Sequence, residues 1–117
     1  MTMKKILATC AVIVGVFAAQ AVLAEGNSEA GKQKSQTCAA CHGANGISTS
    51  DQFPILAGQY RDYIIQALHE YQKGDRTNPI MAGMAKPLSE QDIQDLAAYF
   101  SSLPGPLHTL PREGGNK

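Results

Sequence analysis

Two cysteines three positions apart, followed at once by a histidine, are the residues of this chain best suited to do chemistry: Cys38-Ala39-Ala40-Cys41-His42. On a helical turn both thiols fall on one side, where they can add across the two vinyl groups of a single porphyrin. His42 then presents an imidazole to the iron from that same side. The C-x-x-C-H spacing is the one used for covalent attachment of c-type haem. A zinc half-site and a thioredoxin-like dithiol use the same residue types. Zinc would need two more ligands, and the sequence has no second cysteine pair. A dithiol reductase would need βαβ surroundings, and no period-two strand pattern is present. The motif therefore predicts one covalently bound haem c, with its iron, per chain.

His42 fills one axial position of such an iron, and the other needs a remote donor. Met81, Met84, His69 and His108 are the candidates. His69 falls on the polar face of a helical stretch and reads as a solvated helix histidine. His108 lies in a tail with little to bury. Met81-Ala82-Gly83-Met84 puts two thioethers in a segment whose small residues permit close backbone approach to a porphyrin. Spacing alone does not choose between Met81 and Met84.

The elements that must position these groups are helical. One stretch runs from about Ser28, read as N-cap, to Thr37, with Glu29 in its first turn and Gly31 within it. A second, Tyr60 to Lys73, puts Tyr60, Tyr63, Ile64, Ala67, Leu68 and Tyr71 on one stripe and ends at Gly74. A third starts at Ser89, with Asp92 completing an acidic capping box and Leu88 and Ile93 a hydrophobic staple. Its inner face is Ile93, Leu96, Ala97 and Phe100, and Pro104-Gly105 stops it. Between these helices, Gly43 to Gln59 and Gly74 to Pro87 read as long loops. Their apolar residues Phe53, Ile55, Leu56, Ile80, Met81 and Met84 need burial, and wrapping a haem provides it.

The chain has 117 residues, and its start does not read as part of the fold. Lys4 and Lys5 precede the uncharged run Ile6 to Ala24, and Val22-Leu23-Ala24 offers small residues before Glu25. This is the pattern of a cleaved export signal over 1–24, preferred to a membrane anchor because no basic stop follows. Cys10 would leave with it, so the mature chain keeps only the two haem-motif cysteines and no structural disulfide. Residues 25–117 form one domain, with a flexible tail from about residue 106. Ten basic and ten acidic residues balance, and loss of Lys4 and Lys5 leaves the mature chain slightly acidic. Lys32, Lys34, Lys73 and Lys86 are scattered, so no basic patch suits nucleic acid.

The combination of segments resembles a class I cytochrome c, close to the small periplasmic bacterial cytochromes found as single-haem proteins and as halves of di-haem ones. The residues that carry the resemblance are Gly31, Cys38 to Gly43, Phe53-Pro54-Ile55-Leu56-Ala57-Gly58-Gln59, Met81 to Met84, and the helix from Leu88-Ser89 to Tyr99-Phe100. It implies an all-α fold, with three main helices and long loops wrapped around one haem. It further implies that Met81 gives its thioether to iron while Met84 packs at the porphyrin edge. The Pro54 carbonyl would accept the Nδ1 proton of His42, and Leu56 would press on the haem face. Gly31 would let the first helix cross the last near Tyr99 and Phe100. The family often has a bulky apolar residue one turn later, where this chain has Ser35, which puts the tightness of that crossing in question.

A six-coordinate His/Met iron has no position left for a substrate. Such a protein is expected to be a soluble periplasmic one-electron carrier, not an enzyme, with redox proteins as partners and no membrane span in its mature form. The alternatives are a haem-bearing subunit of a dehydrogenase or oxidase complex, and a five-coordinate gas- or peroxide-binding haem protein.

Overall fold

The structure is a computed structural model, and it describes residues 25–107. The expected leader over 1–24, Cys10 with it, and the tail from His108 onward lie outside these residues. Five helices follow in order: α1 (Ser28–Lys34), α2 (Gln36–His42), α3 (Arg61–Lys73), α4 (Pro79–Ala85) and α5 (Glu90–Ser102). No strand occurs among the described residues. The all-α expectation holds, but the single stretch read from Ser28 to Thr37 is two helices, α1 and α2, that continue to His42, and α4 lies in a segment read as loop.

Asn27, not Ser28, caps α1. Its backbone is extended (φ −99°, ψ 116°) and its side chain accepts the Ala30 N–H. Ser28 is already helical, and its hydroxyl lies 3.1 Å from that of Ser102 on α5. α1 and α2 are almost one helix. They meet at Ser35, whose hydroxyl donates to the Lys32 carbonyl at 2.8 Å.

The centre of the fold is the crossing of α1 over α5. A Cβ on Gly31 would sit 2.0 Å from the Asp95 carbonyl oxygen and 2.7 Å from the Tyr99 Cβ. No side chain fits there, so the two backbones touch directly. Ser35 does not loosen this contact: it is buried at 3% exposure with its hydroxyl satisfied. Beside the glycine, the buried Asp95 carboxylate accepts from the Asn27 N–H at 2.8 Å, from Lys34 Nζ at 2.6 Å and from the Gln91 amide at 2.9 Å.

α5 supplies most of the core. Its capping box is formed in both directions, Ser89 to the Asp92 N–H and Asp92 to the Ser89 N–H. Leu96, Ala97, Tyr99 and Phe100 pack with Ile64 of α3, and Cys38, Leu56, Ile65, Leu68, Leu88 and Leu103 flank them. The stripe on α3 is narrower than its periodicity suggests. Ile64 is buried, but Tyr60 and Tyr63 are 57% and 46% exposed. Tyr60 is only the N-cap residue, and the Tyr63 hydroxyl accepts from Arg76 at 3.0 Å.

The segment from Gly74 to Pro87 is not all loop. Asn78 caps α4, accepting from the Ile80 and Met81 N–H groups, and Pro79 follows inside the first turn. The other long segment, 43–60, does stay irregular and folds onto α5. The Gly46 carbonyl accepts from Leu56 and Ala57, and the Gly58 N–H donates to the Phe100 carbonyl at 3.0 Å. Gly58 needs its positive φ of 79°, and a Cβ there would meet the Leu107 carbonyl oxygen at 2.5 Å. The chain after α5 thus turns back over this loop, and Leu107 is part of that contact. No described helix is long and apolar enough to cross a membrane.

Candidate haem site

α2 carries Cys38, Cys41 and His42 within one and a half turns. Both cysteines are free thiols, Cys38 half-buried against the core and Cys41 exposed. Burial pushes the Cys38 thiol up from its ordinary pKa. Burial thus favours the neutral thiol at Cys38.

His42 is only 5% exposed. Its Nδ1 lies 2.7 Å from the Pro54 carbonyl oxygen, and the Phe53 ring meets the imidazole edge-on at 6.3 Å between centroids. A carbonyl can only accept, so Nδ1 donates. Nε2 is left with its lone pair and has no hydrogen-bond partner among the described residues. Pro54 is the loop residue to which the family resemblance gave this task. Leu56, two residues further along the same loop, is half-buried against the α3–α5 core.

Met81 and Met84 both lie on α4. Met81 is half-buried, whereas Met84 is 39% exposed. α4 packs on α3 and makes no direct helix contact with α2, which packs on α1. The structure therefore does not bring the methionines against His42. His69 is engaged elsewhere, its Nε2 2.7 Å from Glu90 Oε2 across to the start of α5, and His108 lies outside the described residues.

Two polar residues that the sequence did not single out control α4. Asn78 organises its first turn, and the Asn78-Pro79 pair was the legible signal for it. Gln72 on α3 donates to the Ala85 and Leu88 carbonyls, at 2.9 and 2.8 Å, just where α4 ends. Nothing in the sequence marks Gln72 apart from other glutamines.

Residues 28–104 match the family model described as Cytochrome c. This chain belongs to the cytochrome c family. Cytochrome c4 of Pseudomonas aeruginosa is 46% identical over 79 residues, which are 68% of this chain and 39% of that one. The cytochrome c-554(548) of Halomonas halodenitrificans is 40% identical over 80 residues, 66% of this chain and 96% of the relative. Among solved structures, reduced cytochrome c4 from Pseudomonas stutzeri aligns with a TM-score of 0.65 at 43% identity, covering 68% of this chain and 47% of that one. A thiosulfate dehydrogenase from Marichromatium purpuratum aligns with a TM-score of 0.65 at 29% identity, over 69% of this chain and 20% of that one. The chain spans about half or less of the length of the cytochrome c4 relatives it matches.

The likeness to cytochrome c4 is therefore a likeness to a half of a di-haem protein, and the chain is a single-domain cytochrome c. As a family member it is an electron-transport protein that binds haem c covalently, with Cys38-Ala39-Ala40-Cys41-His42 as its C-x-x-C-H motif. The donor set fits that cofactor. Two unpaired thiols share one helix, and the adjacent imidazole keeps Nε2 available. By contrast, no cluster of three or more His, Cys, Asp or Glu side chains able to hold an ion occurs among the described residues, so a zinc ion has no complete ligand set there.

Proposed function

We propose that this cytochrome c is an exported, periplasmic one-electron carrier whose single haem is closed on both faces by protein ligands. Cys38 and Cys41 hold the porphyrin through two thioether bonds. His42, through Nε2, and Met81, through its thioether, would be the residues that hold the iron. Met84 and Leu56 line the pocket, and Pro54 fixes the His42 ring.

The observation that carries this reading is the His42–Pro54 hydrogen bond. A buried imidazole with Nδ1 committed to a carbonyl has one tautomer and one orientation, which is how a metal-binding histidine is prepared. When bound, the haem iron supplies a reversible one-electron couple, and methionine–histidine ligation raises its potential. The protein's own residues then do three things. They would supply two protein ligands to the iron, leaving no site for a substrate or gas. They would hold the ligands on helices of one small domain, which would limit rearrangement on electron transfer. They leave the exposed Cys41 side of α2 open to partner proteins, through which electrons enter and leave.

A cleaved signal over residues 1–24 and delivery to the periplasm agree with the C-x-x-C-H chemistry, which needs exported apoprotein. The partners are redox proteins, with no role for nucleic acid. A second reading, a haem-bearing subunit of a dehydrogenase complex, draws on the similarity to thiosulfate dehydrogenase.

The test is a redox titration of the purified protein, with carbon monoxide added to the reduced form in the absence of denaturant. A reversible one-electron wave and an unaltered reduced spectrum are expected. A carbon monoxide complex would overturn the closed-iron reading, and purification only within a larger complex would favour the second one.

A further inference from the structure

We propose that Gln72 is the positioning residue for the methionine-bearing helix, holding Met81 in the place from which its thioether would bind the iron. The proposal rests on the assignment of Met81 as an axial ligand. α4 has seven residues, too few to be stable on its own in water. Apolar packing does little to fix it: Ala85 is its one buried residue, while Ile80 is 61% exposed and Met84 39%. Its ends are held by polar side chains instead. Asn78 satisfies the first turn from within the same segment, so it shapes the helix but does not tie it to anything.

Gln72 makes that tie. Its amide nitrogen has two hydrogens, and both are used, one on the Ala85 carbonyl at 2.9 Å and one on the Leu88 carbonyl at 2.8 Å. The facing atoms are both acceptors, so the amide has only one satisfactory orientation. Ala85 ends α4 and Leu88 packs on the core, so one side chain from α3 fastens the helix to the rigid part of the molecule. Met81 lies one turn before that clamp. A thioether is a weak, neutral ligand, and its bond to iron persists only while the helix stays put.

The experiment measures imidazole binding to the oxidised holoprotein, since imidazole can enter only when the sulfur lets go. Losing two hydrogen bonds should raise the binding rate in Gln72→Ala about tenfold. Gln72→Glu has the same shape but points a carboxylate at two carbonyl oxygens, so its rate should rise at least as far. Lys34→Met, which loosens α1 from α5 away from α4, serves as a control: its denaturant midpoint should fall while its imidazole rate stays near that of the parent. A Gln72→Glu rate equal to the parent's would overturn the proposal, as would a rise in Lys34→Met equal to that in Gln72→Ala. The weak near-infrared sulfur-to-iron band of the parent protein separates the two levels of the argument. With the band present, unchanged rates reject the clamp alone; with it absent, the Met81 assignment fails first.

Discussion

His42 Nδ1 and the Pro54 carbonyl oxygen, twelve positions apart in sequence, are 2.7 Å from one another, and this contact joins the haem-motif helix to the loop that follows it. The loop is itself pinned, since the Gly46 carbonyl accepts from both Leu56 and Ala57 and Gly58 donates to Phe100. The imidazole is therefore oriented by α5 through the loop. A donor bond from Nδ1 makes Nε2 more basic, which favours ferric iron.

Pro54→Gly keeps the carbonyl but frees the backbone that aims it. Weakening the bond should raise the reduction potential by roughly 20–40 mV, the one-electron equivalent of about 0.5–1 kcal/mol. Potentiometric titration checks this. A fall in potential would mean that the Pro54 carbonyl does not polarise the ring.

Gly31→Ala should be among the most damaging single-methyl changes in the chain. The new Cβ would fall 2.0 Å from the Asp95 carbonyl oxygen, a backbone atom that cannot rotate away. Separating α1 from α5 to make room would cost roughly 2–3 kcal/mol. Guanidinium unfolding of the holoprotein should show a lower midpoint, and an unchanged midpoint would show that the crossing has slack.

Acid should attack the same crossing. The Lys34 ammonium, with help from Ser89, holds the Asp92 carboxyl down to about 2. Burial pushes Asp95 up, but the Asn27 N–H, Lys34 and Gln91 outweigh it and leave that carboxyl below its ordinary value too. Carboxyls depressed in the folded state stabilise it above their unfolded pKa. That contribution should be whole at neutral pH and fade as pH falls from about 4 towards 2. Lys34 is raised by Asp92 and Asp95, so its own share persists below its ordinary pKa of 10.5 and is lost in stronger base. Lys34→Met should cost about 1–2 kcal/mol at pH 7, allowing for the part-exposed Lys34 and Asp92, and should flatten the acid limb. Unfolding midpoints measured from pH 7 to 2 test both statements. An acid limb as steep in Lys34→Met as in the parent would contradict them.

The sequence revealed what local rules encode. The haem motif, the Ser89–Asp92 capping box, the core face of α5 and the Gly74 stop each depend on residues within a few positions of one another, and all stand in the structure. Family resemblance extended this to Gly31 and to Pro54 as the partner of His42. What escaped depended on long-range contacts or on a competing neighbour. Ser28 looks like a cap, but Asn27 reaches Ala30 first and Ser28 turns to Ser102. Tyr63 fits a buried stripe, yet Arg76 lies 5.5 Å over its ring and keeps it at the surface. Asp95 sits in an apolar-looking helix face because its partners arrive from residues 27 and 34. α4 was hidden in a segment read as loop, although Asn78-Pro79 is a sound start signal, because about two turns carry too little periodicity to stand out.

The account depends most directly on an iron held between His42 and Met81. The decisive measurement is the near-infrared absorption of the oxidised protein, compared with Met81→Ala and Met84→Ala. The weak sulfur-to-iron band should be present in the parent, survive in Met84→Ala and vanish in Met81→Ala. Its absence from the parent, or its loss in Met84→Ala alone, would contradict the assignment.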